Sequence, residues 1–300
     1  KCIIICMLLI SVISVITFFA SEFNRNIFEP FMIRERIHNS SYVYLYTIWQ
    51  TFGWNVFFHR NAGPYWEAGM FACYISIAII LLEFEQDLEF SDKQRALIQG
   101  CFVVTLLTTL STTGYLSLIL FCIIKFCRIP NTTKKNIINK LVLGIFVFAI
   151  VFAFYNTSVV QDKLFTSNSS ITKRMENITG GLLLMKESPI FGLGFRSSLS
   201  RYYEDIYISG NCSNGLIQGC YRMGTVLFAV MMFFYYKGFA TVMRNRDAIL
   251  AFLWLMFLFA CEPMQIFLLP LSFIFIAKKQ KNVLSEDEEK YCSKGGTVDE

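Results

Sequence analysis

Apolar residues come in blocks along this chain. Runs at about 2–20, 67–82, 95–109, 113–127, 141–160, 214–236, 248–260 and 264–277 follow neither a 3.6-residue nor a 2-residue alternation. Blocks of this length bury themselves in a bilayer, where a helix satisfies every backbone polar group within its own segment. Hydrophobic residues make up 55% of the 300, which excludes an ordinary soluble globule. The expected fold is all-α: a polytopic transmembrane helix bundle of about eight spans, occupying residues 1–277. Several runs are short for a full crossing, so some are expected as broken or re-entrant helices. The first run lacks a small-residue cleavage site and reads as a span, not a signal peptide. Because the chain opens at Lys1 on the edge of that run, further spans are expected upstream.

Orientation follows from lysine and arginine in short loops. Lys125, Arg128, Lys134, Lys135 and Lys140 cluster in one connection, Lys237, Arg244 and Arg246 in another, and Lys278, Lys279 and Lys281 after the last run. Placing all three in the cytoplasm puts 21–66, 110–112, 161–213 and 261–263 outside. The acidic connection 83–94 is then inside, and 278–300 is a disordered cytoplasmic tail. Segment 40–58, with tyrosines and tryptophans among polar residues, is expected as a helix lying at the outer interface. The net charge of +5 is accounted for by these loops and excludes a nucleic-acid patch.

Ten cysteines do not form a disulfide framework here, since most lie in or beside apolar runs as small hydrophobes. Cys212 and Cys220 are the pair placed to bridge outside. No Cys/His spacing suits a metal, and neither metal nor cofactor is expected.

Unusual polar residues gather on the outer side. Arg60, Gly63, Glu67 and Gly69 precede the second run, with Tyr65 and Trp66 as interfacial anchors. A charged pair there is either a snorkelling anchor or a working site. Ser111 marks one tight outer turn and Glu262 another. The long loop 161–213 carries an amphipathic helical pattern over 172–186 with Arg174, then Pro189, Gly192 and Gly194, then Arg196, Arg201, Asn211 and Asn214. A loop of that length in a compact protein binds or gates something. Guanidinium forks match phosphate oxygens in paired hydrogen bonds, so arginines around one cavity suit a diphosphate without a metal.

Three separated motifs together resemble the O-antigen polymerase and ligase superfamily. They are Arg60 with Gly63, Glu67 and Gly69; the turn Leu110 to Tyr115 with Ser111 and Gly114; and Arg174 followed by a helix and then Pro189, Gly192 and Gly194. The resemblance covers roughly 50–277. It departs at Ala68, where the family carries proline, and at the missing histidine before Asn211, which points away from the ligase branch. The resemblance implies a GT-C-like, metal-independent inverting glycosyltransferase in the bacterial cytoplasmic membrane. It would polymerise undecaprenyl-pyrophosphate-linked repeat units outside the cell, with a flippase and a chain-length regulator as partners. Arg60 and Arg174 then stabilise the leaving diphosphate, and Glu67 either activates the acceptor hydroxyl or merely holds Arg60. His59 is an alternative base. Substrate-binding roles fall to His59, Gly63, Ser111, Gly192, Gly194, Arg196, Arg201, Asn211 and Asn214. A flippase or other secondary transporter is the rival reading, and an O-antigen ligase is a second. The scarcity of charge at the centres of the runs argues against transport.

Overall fold

The computed structural model describes residues 1–23, 32–35, 40–43, 46–52, 55–84, 90–130, 132–156, 170–195, 198–208 and 212–275. It is mostly helical. Helix α1 (Cys2–Phe23) leads into a four-stranded antiparallel sheet, β1 (Met32–Glu35), β2 (Ser40–Val43), β3 (Tyr46–Phe52) and β4 (Asn55–Arg60), in sequential order. Then come α2 (Ala68–Phe84), α3 (Asp92–Thr108), α4 (Thr112–Arg128), α5 (Lys134–Asn156), α6 (Ser170–Glu187) and α7 (Ser198–Tyr207). The chain continues through α8 (Gly215–Met223), α9 (Thr225–Val242), α10 (Asn245–Cys261), α11 (Leu268–Ser272) and a 3₁₀ turn, Phe273–Phe275.

Helix α2 is the centre of the bundle. Residues Met70 to Cys73 and Ile75 to Ile80 are sealed from solvent, with α1, α3, α4 and α10 packed around them. A helix apolar on every side can only be a buried one, and its small residues let neighbours come close. A Cβ on Gly114 of α4 would stand 3.1 Å from the Ala72 Cβ. Across this dry interface runs one polar chain. The indole Nε1 of Trp254 donates to Ser117 Oγ at 2.8 Å, Ser117 Oγ lies 2.7 Å from Ser76 Oγ, and Ser76 donates to the Ala72 carbonyl at 2.7 Å. It ties α10, α4 and α2 into one register.

The far end of α2 carries a second fastening. Glu83 pairs with Lys125 at 2.6 Å and with Arg128 at 3.0 Å, and Arg128 also reaches Asp247. The Arg128 guanidinium lies 4.6 Å from the Phe84 ring centroid. The basic residues at this end of α4, expected to mark the cytoplasmic side, thus bind acidic ends of α2 and α10.

Among the described residues two helices, Cys2–Phe23 and Thr225–Val242, are long and apolar enough to cross a membrane, and Ala68–Phe84 is a shorter apolar helix. Several expectations need correction. Segment 40–58 forms strands β2 to β4 where an interfacial helix was expected, so the fold is not purely α. Its alternating Tyr42, Tyr44 and Tyr46 and β-branched Val43, Thr47 and Ile48 favour a pleated surface over a helix. The run 214–236 is not one helix, because Gly224 at φ +81° divides α8 from α9. The run 264–277 forms a five-residue helix and a 3₁₀ turn as far as it is described, too short to cross. Cys212 and Cys220 are both free thiols. The tail 278–300 lies outside the described residues.

Replacing Ser117 by alanine removes the acceptor of the buried Trp254 N–H and the partner of Ser76. We expect a loss of about 1–3 kcal/mol, read as a lower midpoint of thermal unfolding in detergent with the helical content unchanged.

Candidate functional site

Strand β4 delivers the first arginine. Successive side chains of a strand point to opposite faces, and His59 and Arg60 part accordingly. His59 turns to α1, where its Nδ1 lies 2.5 Å from Glu22 Oε1. Arg60 turns to the α3–α4 turn, where Nε donates to the Thr109 carbonyl at 3.2 Å. His59 is therefore held by another carboxylate, on the other face from the arginine. Asn61 fixes the strand's exit. Its amide donates to Thr108 Oγ1 at 3.0 Å and to Ser14 Oγ at 3.3 Å, and its Oδ1 accepts from the Gly63 N–H at 3.0 Å. Gly63 itself sits at φ +52° with the Phe71 ring 2.9 Å from where a Cβ would be. Its role in this structure is that turn.

The turn that receives Arg60 is strained. Leu110 adopts φ +46°, a left-handed backbone rare for a residue with a Cβ. It exposes the Thr109 carbonyl to Arg60 and starts α4 at buried Ser111, whose hydroxyl makes no cap bond.

Glu262 stands where these elements meet. It ends α10 just before Pro263 and is buried. Its Oε1 lies 3.8 Å from an Arg174 terminal nitrogen, and the same guanidinium donates to the Cys261 carbonyl at 3.3 Å. A Cβ on Gly69 would lie 2.6 Å from Glu262 Oε1 and 3.7 Å from Ser111 Oγ, so only glycine lets the carboxylate settle on the first turn of α2. Burial lowers the pKa of Arg60, and the nearby Glu67 and Glu262 carboxylates oppose that. Two arginines from segments over a hundred residues apart thus share one acidic centre. Arg60 is the buried one of the two, and opposite charge nearby offsets the cost of taking it out of water. The cluster can present two guanidinium groups to an anion and a carboxylate to a hydroxyl.

The other sequence-picked residues fall elsewhere. Gly192 and Gly194 adopt φ +72° and +82°, but their N–H groups donate to the Ser188 and Arg222 carbonyls at 3.0 and 2.9 Å. The N–H of Leu193 between them donates to Tyr221 at 2.7 Å. The loop is a dock onto the α8–α9 joint, completed by Thr225 N–H donating to the Pro189 carbonyl at 2.9 Å. Asn214 caps α8, its Oδ1 accepting from the Ile217 N–H at 3.1 Å. It still borders the centre, because a Cβ on Gly215 would stand 2.8 Å from the Glu262 carbonyl oxygen. Arg201 lies on α7, while Arg196 and Asn211 fall outside the described residues.

Two groups of residues escaped the sequence reading. Glu262 was noted as a turn residue only, although a carboxylate between two apolar runs is itself a signal. The second group is Glu204, which accepts from Tyr221 Oη at 2.8 Å and from Arg222 Nη2 at 2.8 Å, fastening α7 to α8. Nothing in their spacing announces that pairing.

A bundle of apolar helices, with a buried arginine and a partly exposed one gathered about a carboxylate at one end, is the architecture of a membrane protein. Residues 97–234 match the family model Wzy_C, described as O-Antigen ligase, so that stretch is similar to the O-antigen polymerase and ligase superfamily of membrane enzymes. The match takes in Ser111, Arg174 and the docking loop, while Arg60, Glu67 and Glu262 lie beyond its limits. No curated protein and no solved structure matches the chain.

A methyl group on Gly224 would stand 2.0 Å from the Ile190 carbonyl oxygen on a backbone that resists any Cβ. Gly224→Ala is expected to undock the loop, with protease cleavage within 188–195 accelerating while α2 and α10 stay protected.

Proposed function

We propose that the protein is a glycosyltransferase that polymerises lipid-diphosphate-linked oligosaccharide repeats into a surface polysaccharide, with its site on the outer face of the bacterial cytoplasmic membrane. The observation that carries this reading is the convergence of Arg60 and Arg174 on Glu262, beside Glu67. A glycan leaving an undecaprenyl diphosphate needs little protonation of the leaving group, because the diphosphate is already a stable anion. It needs cations fixed where charge grows as the bond breaks. Arg60 and Arg174 serve that role, and Glu262 sets their spacing.

The reaction is a single displacement. The acceptor sugar's hydroxyl oxygen bonds to the donor's anomeric carbon, the bond from that carbon to the phosphate oxygen breaks, and the lipid diphosphate departs with the electron pair. The hydroxyl proton passes to a carboxylate, and Glu67, half-buried and near Arg60, is the group we assign. Attack from the face opposite the leaving group inverts the anomeric centre. No step calls for a metal.

The likeness to the O-antigen ligase family favours a second reading, an O-antigen ligase, in which the donor chemistry is the same and a core lipid supplies the acceptor hydroxyl. The absence of histidine before Asn211 weighs towards the polymerase.

In a strain that depends on this protein, Arg174→Ala and Arg60→Gln are expected to lower polymer formation by about 100- to 1,000-fold at unchanged protein level in the membrane. Single repeats left on the outward-facing carrier are the expected product. Full-length polymer stalled on the carrier would transfer the reading to the ligase. Carrier left facing the cytoplasm would make the protein a transporter, and wild-type polymer in both variants would remove the arginines from the reaction.

A further inference from the structure

A sugar ring offers two surfaces, an apolar C–H face and an edge of hydroxyl or acetamido groups. A site that holds one pairs an aromatic plane with a few well-placed polar groups. Both kinds of group flank the charged centre. Trp66, one residue before Glu67, is 45% exposed, and its ring centroid lies 5.5 Å from that of Phe267 at an interplanar angle of 54°. Phe267 belongs to the short turn that begins at Glu262, so the two rings join the start of α2 to the far wall of the site.

The same turn holds Gln265. Its side chain is 1% exposed, and neither its amide nitrogen nor its amide oxygen makes a hydrogen bond. Its main chain is well fixed, the carbonyl accepting from the Tyr235 hydroxyl. The carboxamide lies against α8, since a Cβ on Gly215 would stand 2.6 Å from Oε1. Buried amides are otherwise bonded almost without exception, and an orphaned one beside a reaction centre marks a place kept for a ligand.

We propose that Trp66, Phe267 and Gln265 form a subsite for a sugar ring of the lipid-linked glycan, the rings taking its C–H face and the carboxamide its polar edge. The assignment rests on the reaction proposed above. Gln265 is covered, so the glycan reaches it by displacing part of the turn 263–267. An indole at a membrane boundary also anchors a helix end. An anchor, however, is indifferent to the glycan and has no use for an unbonded amide two residues from its aromatic partner.

The test uses the full chain in lipid nanodiscs and two lipids: undecaprenyl diphosphate alone, and the same lipid carrying the repeat oligosaccharide, extracted from a strain lacking this protein. Trp66→Ala and Gln265→Leu are expected to weaken the glycan-bearing lipid about tenfold, or about 1.4 kcal/mol, and to leave the bare lipid unchanged. Gln265→Leu is also expected to raise the melting temperature of the protein without ligand, because it removes an unmet amide. A lower melting temperature in that variant, or equal effects on the two lipids, would overturn the subsite and leave a structural amide and a membrane anchor. Arg60→Gln weakens both lipids if the diphosphate sits at the arginines. Loss there, with none at Trp66 and Gln265, overturns the subsite alone.

Discussion

A carboxylate buried at the end of α10 is the point on which the site depends. Charge is costly to take out of water, and the cost is met only where opposite charge and hydrogen bonds come with it. Glu262 therefore draws in Arg174 from α6 and lies near Arg60 of β4, and Gly69 leaves room for its carboxylate over the first turn of α2. Remove that carboxylate and Arg60 loses one of the charges that offset its burial, and Arg174 loses its ion pair. The sheet, the strained α3–α4 turn and the long loop then have no common point to face.

The docking loop shows how a motif can keep its residues and change its apparent purpose. Pro189, Gly192 and Gly194 look like the makings of an anion cradle, since left-handed glycines turn backbone N–H groups outward. Here those donors are spent on carbonyls of Ser188, Tyr221 and Arg222. The loop's product is position: with Glu204 bound to Arg222 and Asn214 capping α8, it sets the helix whose first residue abuts Glu262. The long loop thus builds a wall of the candidate site, and among its described residues Arg174 reaches Glu262 directly.

Much of this was legible from residue order. Helices α2, α3, α4, α5 and α10 lie where the apolar runs put them, because a bilayer-length hydrophobic block has few other fates. The amphipathic pattern before Pro189 became α6. The strands of 40–58 were misread because an aromatic-rich, half-polar segment fits an interface as well as a pleated edge. Length alone does not separate the two. The break at Gly224 was hidden for a different reason. A glycine inside an apolar run is common, and only its φ of +81°, imposed by the incoming loop, makes it a divider. In the site, Arg60, Glu67 and Arg174 could be picked out as charges at the mouths of apolar segments. Glu262 shared that property and was passed over, and Glu204 and Arg222 are a tertiary pairing that no local pattern encodes.

The body of α2 has a consequence for protons. One charged cluster sits at its first turn and another, around Glu83, near its last, separated by about 24 Å of helix. Between them the described interior is mostly hydrocarbon, with the hydroxyls of Ser76 and Ser117 and the indole N–H of Trp254 on one side of α2 and the buried hydroxyls of Ser11 and Thr105 towards α1 and α3. Ser76, Ser117 and Trp254 bond to one another, and Thr105 bonds back to the Cys101 carbonyl of its own helix. On the proposed reaction, a proton taken from a sugar beside Arg60 meets no charged residue along α2 before Glu83, and it is expected to leave on the side where it arose.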